Sequence, residues 1–464
     1  VQAALGALLR PVDAAWLAAF RVLFGLTMAV SMLRFIAFGW VDLFFVRPRF
    51  HFKYWGFEWV EALPGPWMHA LFYALVALAT CVAVGLFFRF SAWAFAIGFC
   101  YLQLVDVTTY LNHYYLAVLL SALLALSPAH RLWSLDAWRA RRAGHTQGLI
   151  AAPRSAALPV AWLYLFRFQM STVYTFAGLA KLQTDWLLHA QPLQIWLGSR
   201  TDTPVLGALF RSEWAAPVMS WLGFAFDLTI SLWLLLPRTR PYAFVGLVAF
   251  HALTGALFPI GMFPWIMITG ALVFFEPSWP RRCLSRLGWT TSGARAGAEM
   301  SEQSPGLGAA PAAARGQRWL GLAALVYCVT SVALPSRHLL YPGTVLWHEQ
   351  GMRWSWRVMV REKNGSVSFR VRDPRTGQYW QIEPRRYLTQ IQEREMSGQP
   401  DLILQLAHHI RDDFRTRGHD GVEVRAEALA SLNGRPMQLL IDPRVDLARV
   451  PDGVTIAPWI TPAP

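Results

Sequence analysis

Arg167 to Trp186 reads RFQMSTVYTFAGLAKLQTDW, an apolar stretch with an arginine and a glutamine at one end and Lys181 near the other. Ionisable groups in a lipid-embedded helix are expensive and mark either function or a protein-covered face. Residues 7 and 14 apart fall near the same face of a helix, so Arg167, Tyr174 and Lys181 align in one stripe. The stripe spans roughly 21 Å, most of a bilayer core. An apolar setting favours the neutral form of an amine, and a neutral amine is a usable base. The competing reading is a Lys181 that snorkels to the headgroups and pairs with Asp185, one turn on.

Three other groups stand out. His113 lies in Asn112-His113-Tyr114-Tyr115, where it either caps a helix start or works beside a base. His251 precedes a tight turn, Phe258-Pro259-Ile260-Gly261-Met262, by about 10 Å of helix rise. Phe258, Met262, Phe263 and Trp265 line an aromatic pocket or simply pack. Arg34, Asp106 and Asp227 also fall in apolar runs; buried ion pairs that fix helix packing are the expected use of Arg34 and Asp106. His408-His409 is assigned to a solvated or interface face.

The elements that must position these groups are membrane helices. The 464 residues are 55% hydrophobic and 14% aromatic, with 23 tryptophans, which describes a polytopic membrane protein and not a large soluble core. Apolar runs at 15–38, 70–88, 91–111, 113–127, 159–180, 218–236, 241–258, 262–275 and 319–334 predict about nine spans. The formal charge of +14 is carried largely by loops at 128–158, after 236 and after 275, so it reports topology and not nucleic acid. Lysine and arginine are retained on the cytoplasmic side, which puts the N-terminus inside and the C-terminus outside. Lys181, His113, His251 and the 258–263 turn then converge on the outer leaflet. The N-terminus shows no convincing cleavage site and reads as an uncleaved first span.

The predicted fold is mostly α, a polytopic bundle with a small exported α+β domain. Residues 1–283 form the membrane domain, 284–318 a flexible Gly/Ala/Ser/Pro-rich cytoplasmic linker, 319–334 the last span and 335–464 the exported domain. In that domain strands are expected at Ser366–Arg372 and Tyr379–Ile382, a helix around Asp401–Arg411, and turns at Asn364-Gly365 and Thr376-Gly377. Cys81, Cys100, Cys283 and Cys328 show neither CxxC nor zinc spacing, so no metal site or disulfide framework is implied.

At these residues the chain resembles the vitamin K-dependent gamma-carboxylase family. The likeness runs in order through Asn112-His113 with Tyr115-Leu116, Trp133-Ser134-Leu135-Asp136, VYTFAGLAKLQTDW ending at Trp186, Phe250-His251 with LFPIGMF at 257–263, and PSWPR at 277–281. It continues with Ser355-Trp356, Arg372-Asp373, Arg375-Thr376-Gly377 and Asp442-Pro443-Arg444-Val445-Asp446. The resemblance implies a membrane enzyme, of lyase class, that oxidises reduced vitamin K (phylloquinol or menaquinol) with O2 to the epoxide and adds CO2 to the γ-carbon of protein glutamate. It implies Lys181 as base, His113 beside Asn112 as the carboxylation partner, and a quinol pocket of His251, Phe258, Ile260, Gly261, Met262 and Phe263; Arg167 and Tyr174 join that pocket by their place on the lysine's stripe. Expected partners are membrane lipid and a glutamate-containing protein or peptide, with no nucleic acid.

The sequence departs from the animal enzymes in three ways. Ala180 stands where they carry a second lysine, the exported domain has no cysteine, and the chain ends at Pro464, ahead of their longer C-terminal region. These features fit a bacterial or minimal relative in the bacterial inner membrane. Two other readings remain: quinol epoxidation without carboxylation, and a non-catalytic quinone-binding protein in which Arg34, Asp106, Asp227 and Lys181 form a polar pathway.

Overall fold

Apolar runs without internal breakers have no choice in lipid but to satisfy their backbone within the segment, and all nine runs are helical. The computed structural model of the chain describes residues 6–143, 157–289 and 311–464, the side chains of 311–320 excepted. The helices are α1 (Ala15–Ala37), α2 (Gly65–Val84), α3 (Phe88–Val105), α4 (Asn112–Leu126), α5 (Val160–Ala180), α6 (Ala215–Leu235), α7 (Arg240–Leu257), α8 (Phe263–Ala271) and α9 (Pro311–Ser336).

Five segments are long and apolar enough to cross a membrane: α1, α2, α3, α6 and Gly321–Leu340, which takes in most of α9. The nine expected spans therefore divide. Helices α5 and α7 have the length, but Arg167 and Gln169 in one and Arg240 and His251 in the other dilute their apolar character. Helix α4 and the Phe263–Phe274 unit are apolar but short. The linker expected at 284–318 overlaps a short helix, Trp279–Arg286, and the first turns of α9. Its centre, 290–310, lies outside the described residues, as do 144–156 of the basic loop at 128–158.

Two of the resemblance-bearing motifs tie the helix ends together. Asp136 of the Trp133–Asp136 run accepts from the backbone N–H of Phe87 and Phe88, at 2.9 and 2.8 Å, and so caps the start of α3. Such a carboxylate supplies acceptors to donors that no helix can satisfy itself. Arg281 of the PSWPR run pairs with Asp13 at 2.7 Å and lies over the Trp133 ring at 5.7 Å, joining this corner to the start of α1. Asp136→Ala is expected to cost about 1 kcal/mol, read as a lower thermal midpoint in detergent with the site chemistry unchanged.

Helices α5 and α6 make the crossing that matters for function. A Cβ on Gly178 would sit 2.7 Å from the backbone N of Leu228, so only glycine lets the two backbones approach this closely. The contact places the end of α5 beside Asp227.

The C-terminal unit is an antiparallel sheet of β1 (Lys363–Arg372), β2 (Tyr379–Ile382), β3 (Glu423–Leu432) and β4 (Gln438–Leu439), in the order β2-β1-β3-β4. Helices α10 (Gln390–Ser397) and α11 (Pro400–Thr416) accompany it, and Val367, Phe369 and Val371 share one buried core with Ile403, Leu406 and Ile410. The turn expected at Asn364-Gly365 is instead the first part of β1, where these residues pair with Ser431 and Ala430. Glycine is needed there because the carbonyl oxygen of Ser397 comes within 2.4 Å of where a Cβ would stand. The turn at Thr376-Gly377 forms as expected, with Gly377 at φ +72°.

The acidic residues of the resemblance-bearing motifs in this unit hold its turns. Asp373 accepts from the backbone of Arg375 at 2.9 Å, and Asp446 accepts from Val424 and Ala448 at 2.9 and 3.1 Å. Asp442 holds Arg444 at 2.9 Å, which lowers its carboxyl to about 2.

Candidate active site

Helix α5 ends at Ala180, and Lys181 is its capping residue. The side chain is 5% exposed, and its Nζ donates to Asp227 Oδ2 at 2.7 Å. It also reaches the carbonyl oxygens of Ala177 and Val358, each at 3.4 Å, and lies 5.1 Å from the Trp186 ring centre. Asp227, 7% exposed, has no other hydrogen-bond partner among the described residues. A salt bridge so deep is held by geometry, because neither charge can be left alone in an apolar interior.

The pairing of Lys181 with Asp185 does not form. The helix stops at Ala180 and a new one begins only at Thr184, so the spacing of four residues is not one helical turn. Asp185 instead faces the C-terminal unit, taking Arg435 at 2.5 Å and Asn433 at 2.7 Å. The Arg435 hydrogen bonds, with Asn433 in support, hold the Asp185 carboxyl below its ordinary range. Because its folded-state pKa is depressed, this contact stabilises the docked arrangement above the ordinary carboxylate pKa of about 4 and is lost as pH falls through the lower native value. Asp185→Ala is expected to cost about 1 to 2 kcal/mol, discounted because the Arg435 side chain is 35% exposed, and to hasten proteolytic release of residues 335–464.

A cavity of about 80 Å³ opens beside Lys181. Its polar wall is Tyr174, Lys181, Asp227, His251 and Thr254, and its apolar wall includes Trp186, Phe250, Phe258, Phe263 and Met267. The Tyr174 hydroxyl hydrogen-bonds His251 Nε2 at 2.9 Å, while His251 Nδ1 is buried without a partner. The Phe263 ring lies 5.4 Å from that of His251 and 5.9 Å from that of His113. His113 Nε2 is likewise buried and unpartnered. Orphaned nitrogens in an apolar wall are uncommon, and each calls for a reason.

The residues singled out in the sequence thus divide by position. Lys181, Tyr174, His251, Phe258 and Phe263 line one cavity, and His113 packs beside Phe263 without lining it. Asn112 is turned to the neighbouring interface, accepting from the Tyr110 hydroxyl at 2.9 Å and donating to the Arg357 carbonyl at 3.4 Å. Ile260, Gly261 and Met262 form the turn below but do not line the cavity. Arg167 is at the far end of α5, where its guanidinium donates to the carbonyl oxygens of Val273, Phe274 and Phe275 at 2.9 to 3.0 Å. Arg34 and Asp106 do not pair. Arg34 lies over Phe38 and Trp40, and Asp106 binds His51 at 3.1 Å and Gln392 at 2.8 Å. His409 packs on Phe50 at 4.5 Å, an interface position.

Sequence reasoning missed the contribution of Trp354 to Met359. This segment inserts from the C-terminal unit against the helix ends. Trp356 is buried against Tyr115 at 4.8 Å, the Val358 carbonyl meets Lys181, and Met359 lines the cavity. Trp354, Trp356 and Met359 all hold positive φ, of 59°, 57° and 52°. Non-glycine residues enter that region at a cost, and a cluster of them marks a segment whose shape is imposed by its surroundings. A signal existed in the clustered Trp354 and Trp356. Trp354 also lines a larger cavity of about 610 Å³ that includes Tyr54, Arg337, His348, Arg449 and Trp459. Among the described residues no group of three or more His, Cys, Asp or Glu side chains gathers to hold a metal.

A family model described as "HTTM domain" matches residues 9–279. One described as "Vitamin K-dependent gamma-carboxylase, lumenal domain" matches residues 316–464. No solved structure matches the chain.

Proposed function

The chain belongs to the vitamin K-dependent gamma-carboxylase family, and from that premise we propose that it oxidises reduced vitamin K to the epoxide and couples this to γ-carboxylation of protein glutamate. The observation that carries the proposal is the pairing of two buried polar dyads, Tyr174 with His251 and Lys181 with Asp227, across one apolar cavity. An aromatic diol fits this wall: its ring matches the Phe and Trp surfaces, and the partnerless His251 Nδ1 and the charged pair offer positions for its hydroxyls. At about 80 Å³ the cavity is smaller than a typical ligand pocket, so side chains must move for entry.

When bound, reduced vitamin K supplies the reducing equivalents with which O2 is turned into a base strong enough for a glutamyl γ-carbon. The protein's part is to hold the ring, receive the phenolic proton and exclude water. Tyr174 and His251 orient one side of the cavity, and the Lys181 side receives the proton. Burial under Trp186, Phe263 and the inserted 354–359 segment keeps solvent protons away from a carbanion. His113, beside Phe263, is the partner for the carboxylation step and Asn112 positions its turn. The 610 Å³ cavity, which Trp354 also lines, suits an extended glutamate-bearing peptide approaching from outside. In this reading the basic loops face the cytoplasm and residues 335–464 face outside.

The test is epoxide formation from reduced vitamin K by purified protein in air, followed by labelled CO2 incorporation into a glutamate-containing peptide. Oxygen uptake with epoxide but no label would leave quinol epoxidation alone, and no oxygen uptake would leave a binding protein.

A further inference from the structure

We infer that the outward face of the C-terminal sheet is a docking groove for an extended acidic polypeptide segment, read by Arg370, Arg372 and Arg425. The surface is independent of the chemistry at Lys181. Side chains alternate across a strand, so the buried row Val367, Phe369 and Val371 of β1 leaves Ser368, Arg370 and Arg372 on the other face. Strand β3 turns Val424, Ala426 and Ala428 inward and Glu423, Arg425 and Glu427 outward. The register then sets Arg370 directly opposite Arg425. Like charges in that position destabilise a sheet, so folding alone does not explain the pair.

The arginines also have donors to spare. One oxygen, Glu423 Oε2, lies 3.3 Å from Arg425 and 3.8 Å from Arg372, which leaves Arg370 without an ion pair among the described residues. The Nε atoms of Arg372 and Arg425 are buried and have no hydrogen-bond partner either. A planar guanidinium with free donors is matched best by a carboxylate.

Spacing defines the occupant. A groove of about 200 Å³ lies over these positions, walled in addition by Tyr379 and Gln381 of β2 and by Pro443. Arg370 and Arg372 are two residues apart on one strand, which separates their Cα atoms by roughly 6.6 to 6.8 Å. Carboxylates at alternate positions of an extended peptide repeat at the same distance, whereas a small anion such as phosphate fills one position only. Ser368 and Gln381 add hydrogen-bonding groups that such a peptide can use. Glu423 and Glu427 border the arginines, so three cations face two anions and the groove selects by where charge is placed, not by bulk attraction.

The experiment uses the full chain in detergent and a fluorescein-labelled peptide of alternating Glu and Ser, read by fluorescence anisotropy at low salt. Saturable binding is expected, weakened at least ~10-fold by Arg370→Gln and by Arg425→Gln. It should be unchanged in Arg385→Gln, an exposed arginine outside the groove. A peptide with glutamate at every third position presents its charges on both faces of an extended chain and should bind at least ~10-fold more weakly. Arg370→Glu meets Arg425 with the opposite charge, which supports the sheet, so this variant should stay folded and lose binding. No saturable binding by the native chain, native affinity in Arg370→Gln and Arg370→Glu, or equal affinity for the two spacings would overturn the inference. Inorganic phosphate binding as tightly as the alternating peptide would overturn it in favour of a small-anion site. Epoxide is read in no arm, so each outcome leaves the proposed function as it stands.

Discussion

Lys181→Ala is expected to abolish epoxide formation from reduced vitamin K in air, with a loss of ~10³-fold or more against the native chain. General acid and base groups each contribute about 10² to 10⁴ in rate. This substitution removes more than one group's worth, because it strands Asp227. Alone in an apolar wall, that carboxylate has no opposite charge to compensate it, and the polar side of the cavity loses its arrangement. The charge imbalance also threatens the fold, since breaking a buried pair costs about 3 to 5 kcal/mol. The double variant Lys181→Ala/Asp227→Asn separates the two effects. It carries no stranded charge and is expected to recover a native-like thermal midpoint while remaining inactive. Equal epoxide yields from the native chain and Lys181→Ala would take Lys181 out of the chemistry altogether.

His113→Ala divides the reaction. Its ring does not line the Lys181 cavity but packs beside Phe263, which does. In the proposed function its step is carboxylation and not the handling of the quinol proton. Epoxide formation in His113→Ala should stay within about 3-fold of the native rate, while labelled CO2 incorporation falls at least ~100-fold. The substitution also leaves a gap beside Phe263, so a modest rise in the concentration of quinol needed for half-maximal rate is compatible. A parallel fall of epoxide and label would mean that His113 supports the cavity itself, and its separate role would be lost.

The C-terminal unit bears on both results, because it lines the Lys181 cavity. Asp185 with Arg435, Asp106 with Gln392, and Tyr110 with the Trp354 backbone at 2.8 Å all join helix ends to residues beyond 353. The Val358 carbonyl and Met359 reach the Lys181 cavity from that side.

Legibility in the sequence followed the range of the interactions. The helices were legible because an apolar run in lipid has one local solution, and each apolar run became a helix. The Tyr379–Ile382 strand was legible for a similar local reason, its aromatic and branched residues. Strand β3 was not, because the middle three of its five buried positions, Ala426, Ala428 and Ala430, are alanines, which carry little strand preference of their own and are held by pairing with β1.

At the site, the sequence by itself picked out Lys181, Tyr174, His113 and His251 as candidates, since helical rise and periodicity are properties of one segment. Partners were decided elsewhere. Asp185 was the nearest acid in sequence, yet the end of α5 at Ala180 turned it away, and Gly178 against Leu228 brought in Asp227, 46 positions along the chain. The inserted 354–359 segment, too, comes from far along the chain, and its Trp356 packs into the core of the helices. Ion pairing falls off within a few ångströms and is indifferent to chain distance, so only the crossing of α5 with α6 and the docking of the C-terminal unit could choose which charge faces Lys181.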